Sequence, residues 1–198
     1  FDFKTTIDHA RLSKLNLIDR DSTVSFNSIA EISIKGKDID DMTGFIKIGK
    51  TEYIEINDTI HLDSLVYIAR SEGAIKTASL RSNIVDFNVS GAYKRSSMFL
   101  EIEKLFRSYV PIFQASNVSV PQLLKADYDL TFKNTSEVTR IFLPDLKISA
   151  GTRLYGNVNS SEKSFSLQLE SDSIRYDEAL FSGIELKANT QNSFLNMS

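Results

Sequence analysis

The 198-residue chain carries 23 Lys and Arg, 26 Asp and Glu and a formal charge of −3; 41% of its residues are apolar, 25% are charged, and it has no Cys or Trp. A chain of this length buries about 70% of the surface it exposes when unfolded, so the composition describes a globular protein and excludes disorder. It also excludes disulfide and thiol chemistry, and without a basic field to gather phosphate backbones no nucleic-acid partner is expected.

The chain opens at Phe1 with neither a basic leader nor an apolar signal core, so it is expected to be a piece of a longer protein with any anchor outside this stretch. Apolar runs such as Ile141-Phe142-Leu143-Pro144 are far shorter than the ~20 residues that cross a bilayer. Phe1-Asp2-Phe3 begins an alternation of apolar and polar residues, the period of two that sends successive side chains to opposite faces of a strand. It is clearest over residues 24–34, where Val24, Phe26, Ile32 and Ile34 hold even positions and polar residues hold most odd ones. The same pattern predicts strands over 45–48, 53–56, 60–62, 85–89, 126–132, 146–148, 154–158, 165–169 and 184–188. Between them, Asp38-Ile39-Asp40-Asp41, Ser71-Glu72-Gly73, Gly91, residues 157–163 and Ser182-Gly183 supply turn chemistry.

One segment breaks the alternation. Met98, Ile102, Leu105, Phe106, Tyr109 and Val110 recur at spacings of three and four with Glu101, Glu103, Lys104 and Arg107 between them, which predicts an amphipathic helix near 97–110, stopped by Pro111. Its apolar face suits the end of a sheet, a groove entrance or a membrane surface. After it, Ala126-Asp127-Tyr128-Asp129-Leu130-Thr131-Phe132-Lys133 echoes Phe1-Asp2-Phe3-Lys4. The chain therefore reads as a first β repeat unit at 1–95, the helical segment at 96–112 and a second β repeat unit at 113–198. Short connections predict an all-β, mainly antiparallel fold. Its dry face must curl around an interior or pack on a second sheet as a sandwich.

Chemical motifs are sparse. Residues 44–51 satisfy the phosphate-loop expression G-x-x-x-x-G-K-S/T with Gly44, Gly49, Lys50 and Thr51. That loop works by delivering backbone amides at a helix N-terminus, whereas here the intervening residues alternate as a strand and Tyr53-Ile54-Glu55-Ile56 follows as another, so no nucleotide is expected. His9 and His61 lack a second ligand at metal-binding spacing, and Asp38, Asp40 and Asp41 lack the ordered ligands and closing Glu of a calcium loop. There is no G-x-S-x-G elbow. Neither catalysis, a metal nor a cofactor is expected.

The Asp21-Ser22-Thr23 turn, the alternating strand over 25–36, Ile39-Asp40-Asp41-Met42-Thr43-Gly44-Phe45-Ile46-Lys47-Ile48, Tyr53, Leu62-Asp63-Ser64-Leu65 and Val85-Asp86-Phe87-Asn88-Val89-Ser90-Gly91 follow one another in an order that resembles the periplasmic TamB/AsmA-like proteins, in particular the TamB relatives of Bacteroidetes. Leu15-Asn16-Leu17 and the helix ending Tyr109-Val110-Pro111 fit the same likeness. The resemblance implies an elongated, curled sheet forming a taco-like trough, tethered to the inner membrane, whose apolar interior shields the acyl chains of phospholipid or another lipid crossing the periplasm. It also implies a link to outer-membrane biogenesis through a barrel partner. On that implication the lining is expected from Val24, Phe26, Ile32, Ile34, Ile46, Ile48, Ile54, Ile56, Phe87, Val89, Tyr128, Leu130, Phe132, Phe165, Leu167 and Leu169. The alternation alone allows these residues a closed core equally well. The tripeptides beginning at Asp21, Asp58, Asp63 and Asp172 resemble periplasmic O-glycosylation acceptors of the same bacteria, with Ser22, Thr59, Ser64 and Ser173 as acceptors; the sequences also suit β-turns.

Overall fold

The computed structural model describes residues 2–11, 25–55, 58–98, 100–102, 124–191 and 194–197. The alternating segments form strands β1 (Asp2–Arg11), β2 (Ser25–Lys35), β3 (Thr43–Glu55), β4 (Asp58–Glu72), β5 (Ile75–Ser82), β6 (Val85–Ala92), β7 (Lys125–Phe132), β8 (Leu146–Ile148), β9 (Arg153–Asn159), β10 (Ser164–Tyr176), β11 (Ala179–Gln191) and β12 (Phe194–Met197). All join one antiparallel sheet in the order β1-β2-β3-β4-β5-β6-β7-β9-β10-β11-β12, with β8 pairing the far end of β10. Among the described residues the sheet is open, with β1 and β12 at its edges. These residues form one sheet, so the sandwich alternative does not describe them. β6 pairs directly with β7 from Val85↔Phe132 to Ala92↔Lys125, which puts the strands before and after the helical segment in a single sheet.

Local chemistry sets the hairpins. Asp38 Oδ1 accepts from the Asp40 and Asp41 amides at 2.8 and 3.0 Å, closing the β2–β3 turn. Ser82 Oγ accepts from Ile84 and Val85 N–H at 3.1 and 2.9 Å between β5 and β6, and Gly73, at φ 61°, turns β4 into β5. Two expected turns lie elsewhere. Ser182 and Gly183 fall inside β11, where pairing runs unbroken from Ser173↔Ser182 to Ser171↔Ile184, and the reversal comes at Asp177, in the left-handed region at φ 54°. Residues 157–159 belong to β9, leaving the turn to 160–163.

A helix that the sequence pattern does not predict, α1 (Ser136–Phe142), follows β7. Its seven residues are too few to establish a helical period, although Glu137 in the first turn and Arg140 in the last suit the helix dipole. Glu137 Oε2 accepts from the His61 amide at 2.7 Å and lies 3.6 Å from His61 Nδ1, tying α1 to β4. At the β8–β10 corner, the buried Thr152 Oγ1 meets Ser171 Oγ at 2.6 Å and Ser149 Oγ at 3.1 Å, so these hydroxyls satisfy one another.

Of the helix expected near 97–110, Met98 and residues 100–102 are helical; 103–110 lie outside the described residues. Its start is clasped to the β2–β3 turn. Asp40 accepts from the Ser96 amide at 3.0 Å and the Ser96 hydroxyl at 2.7 Å, while Arg95 donates to the Asp40 and Arg70 carbonyls at 2.9 and 3.1 Å. The Ser96 amide, then its hydroxyl, holds the Asp40 carboxyl below its ordinary 3.8. A depressed folded-state value makes this contribution complete above pH 3.8 and lost as pH falls through the lower folded value. Asp40→Asn should therefore melt below the parent at neutral pH, with the gap closing toward about pH 2 in a pH series of thermal scans.

Candidate apolar binding face

Residues directly opposite each other on antiparallel strands point to the same side, so the pairing can be followed across the sheet. Phe3, Ile32, Ile46, Tyr67, Leu80, Phe87, Leu130, Leu154, Leu169 and Leu186 fall in one row, each from a different strand and all apolar. The adjacent row on the same face runs Ile34, Gly44, Ala69, Ala78, Val89, Tyr128, Gly156, Leu167 and Ala188. The row between them, pointing the other way, is Asp2, Ser33, Phe45, Ile68, Ser79, Asn88, Asp129, Tyr155, Gln168 and Lys187, polar except at Phe45, Ile68 and Tyr155. The next row on that side, flanking the first apolar row, is Lys4, Glu31, Lys47, Val66, Arg81, Asp86, Thr131, Arg153, Glu170 and Glu185, with Val66 its single apolar member. A one-residue slip in any strand would exchange these faces, which is why the alternation fixes the register.

The two faces differ in chemistry. On the polar face charges pair locally: Arg153 donates to Asp129 through Nε at 3.0 Å and Nη2 at 2.6 Å, and Lys47 lies 3.6 Å from Glu31. The hydrogen bond from Arg153 holds the Asp129 carboxyl below its ordinary range. A shallow groove of about 710 Å³ has a mixed lining in which Arg70, Asn88, Asp127, Tyr155 and Gln168 stand beside Ile68, Ala78 and Val89. On the apolar face even the tyrosine hydroxyl is occupied. Tyr128 lies opposite Gly156 and its OH reaches across to donate to the Ser166 carbonyl at 2.9 Å, while burial pushes its pKa up to about 12.

The buried cluster sits toward one end of this face, where Met98 joins Val89, Leu124, Ala126, Val158 and Phe165. Beside it is a pocket of about 260 Å³, lined by Met98 and Ile102 with Phe87, Val89, Leu124, Ala126, Tyr128, Leu130, Leu154, Asn157, Val158, Phe165 and Leu167. Beyond the pocket, the ten-strand row keeps partial exposure: Leu80, Leu169 and Leu186 are half-buried and Phe3 is 38% exposed.

Of the expected lining, Ile32, Ile34, Ile46, Ile48, Phe87, Val89, Tyr128, Leu130, Phe132, Phe165, Leu167 and Leu169 share the apolar face. Val24 and Ile56 lie outside the described residues, and Phe26 occupies the β2 position paired with Tyr53. Ile54 lies beyond an irregularity in β3. Between Asn27↔Glu52 and Ile29↔Gly49 β3 carries one extra residue, and Lys50 there adopts the left-handed φ of 50°. The bulge sets Tyr53 opposite Phe26 and Ile54 opposite Ser25 on β2, while β4 pairs with β3 without a shift and sets Ile54 opposite Thr59. Ser28 Oγ and Thr51 Oγ1, both buried and 2.8 Å apart, mark the same irregularity.

Phe3, Tyr67, Leu80, Leu154 and Leu186 join the row without having been expected as lining residues. Tyr67 sits in Leu65-Val66-Tyr67-Ile68-Ala69, where both faces are apolar, and Leu80 is flanked by polar residues in β5. Leu154 and Leu186 carry the signal that could have found them, since both fall in alternating segments.

The remaining motifs find structural places. Residues 44–51 lie within β3, which leads into β4. Asp38 and Asp40 are engaged in the turn and the clasp, and no group of three potential metal ligands occurs among the described residues. Thr59 and Ser64 lie in β4 and Ser173 in β10, so these tripeptides are strand rather than turn; pairing with β3 and β11 accounts for their backbone, and Ser64 is exposed. Ser22 lies outside the described residues. No described helix is long and apolar enough to cross a membrane. What the strand order and register define is a one-layer antiparallel meander, greasy on one side and charged on the other. No protein-family model, curated protein or solved structure matches the chain.

Proposed function

We propose that the chain is a non-enzymatic segment of a periplasmic trough, tethered to the inner membrane outside this stretch, that shields lipid acyl chains in transit toward the outer membrane. The observation that carries the reading is the unbroken apolar row across ten strands, left partly exposed on a sheet whose other face is charged. Each methylene moved from water onto such a surface gains about 0.8 kcal/mol, and side chains of similar kind along the row let a tail slide without a catalytic group or a cofactor. The likeness to TamB/AsmA-like proteins supports the compartment and the cargo. Native mass spectrometry of the purified chain should show added masses of phospholipid that disappear on delipidation and return with short-chain phospholipid. A chain that carries no lipid and takes up none would overturn the reading.

Among the described residues β1 and β12 end the sheet, which favours a second reading, a scaffold for outer-membrane assembly that pairs its backbone with a neighbouring strand. Binding to a barrel partner that is lost only when an edge strand is altered, and is indifferent to the apolar row, would select it.

A further inference from the structure

We infer that the 260 Å³ pocket under the helix start is a stop for the methyl end of a single alkyl chain, which it holds without reading the head group. The inference rests on the acyl-carrying reading above and adds where, and in which orientation, a chain comes to rest.

Three observations carry it. Phe87, Leu130 and Leu154 belong both to the ten-strand row and to the pocket lining, so a chain lying along the row runs into the pocket without crossing polar surface. Met98 and Ile102 close it on the helix side, and the Asp40–Ser96 and Arg95 clasp fastens that helix start to the sheet's end. Finally, among the described residues the lining offers a head group nothing to bind: its polar members there are Tyr128, whose hydroxyl already donates to Ser166, and Asn157, whose strand position faces the polar side.

Size selects the same occupant. A specific protein partner needs about 800 Å² of surface on each side, which a partly open space of 260 Å³ cannot supply. Apolar cavities of about 150 Å³ already accept benzene, so a longer hydrocarbon segment fits here and water gains no partners. A carboxylate or phosphate pushed in would lose its hydration with no donor in return. The tail therefore enters first, and the head stays in solvent.

The test is calorimetric titration of the full chain with dodecanoate, dodecyl maltoside and a lysophosphatidylcholine bearing the same tail, each below its micellar concentration. Affinities within about threefold across the three heads, rising about fourfold per added methylene from eight to twelve carbons, are the expected result. Leu167→Phe, which narrows the pocket from a half-buried position, should weaken the twelve-carbon probes about tenfold. Leu186→Phe, in the row but outside the pocket, should not. Met98→Ala, which opens the helix side without changing a strand residue, should speed probe release severalfold and serves if Leu167→Phe fails to fold. Affinities that differ more than tenfold between heads, or that ignore both pocket substitutions, would overturn the stop while leaving acyl shielding intact. Failure of every probe to bind would overturn both.

Discussion

Gly156→Ala should lower the thermal midpoint by about 10 °C. A Cβ at this position collides with the Ser166 carbonyl oxygen on the neighbouring strand and comes within 2.9 Å of the Tyr128 hydroxyl. Backbone held in a ladder cannot step aside, and the tyrosine is itself fixed by its bond to that same carbonyl. Either β9 must pull away from β10 or Tyr128 must lift off the strand, breaking the Tyr–Gly pairing that packs an aromatic ring over bare backbone. Overpacking of this kind costs about 3 kcal/mol, and for a chain of this size each kcal/mol moves the midpoint by about 2–4 °C. Gly151→Ala is the control. No atom lies within 4 Å of the point a Cβ would occupy there, so its φ of 85° leaves only the backbone penalty of about 1 kcal/mol. Differential scanning calorimetry of both variants decides the matter; equal midpoints would mean that the close approach at Gly156 is not maintained in solution.

The second large effect concerns the row. Leu80→Glu combined with Leu130→Glu places two carboxylates near the middle of the apolar face, on β5 and β7 with Phe87 of β6 between them. Removing two leucine contacts and requiring a bound tail to desolvate charge should cost about 3 kcal/mol, roughly a hundredfold in affinity for a fluorescent fatty-acid probe. Thr77→Glu with Asn88→Glu adds the same charge on the opposite face and should leave probe affinity unchanged. Both proteins should retain strand circular dichroism, since all four positions are half-buried or exposed. Equal binding by the two variants would sink the acyl-chain reading and leave the scaffold.

Much of the sheet is legible in the sequence because period-two alternation is a direct image of which side each residue faces. Where it is clean, as over 126–132 and 165–169, the residues and their face follow without coordinates. It fails where backbone geometry intervenes. Lys50 does not look like a bulge residue, yet at its left-handed turn β3 slips one residue against β2, so that Ile54 rather than Tyr53 comes opposite Ser25. It fails again in β4, where Leu65 to Ala69 are apolar on both sides and only pairing with β3 and β5 shows that Tyr67 joins the row. α1 escapes because seven residues give too little length to show a helical period, and its place comes from the Glu137–His61 contact 76 residues away in sequence. The pocket depends on bringing Met98 and Ile102 over strands on both sides of them in the chain, a juxtaposition no local pattern contains.

The breadth of the ten-residue row sets how it can be filled. Adjacent strands lie about 4.8 Å apart, so its nine steps extend about 43 Å along the sheet. The hydrocarbon depth of one bilayer leaflet is about 15 Å, half of the usual core. No fatty tail covers the row from end to end, and two or three can lie on it in file. On the acyl-carrying reading, tails would follow one another in file along the row, and the pocket would be the place where one of them halts.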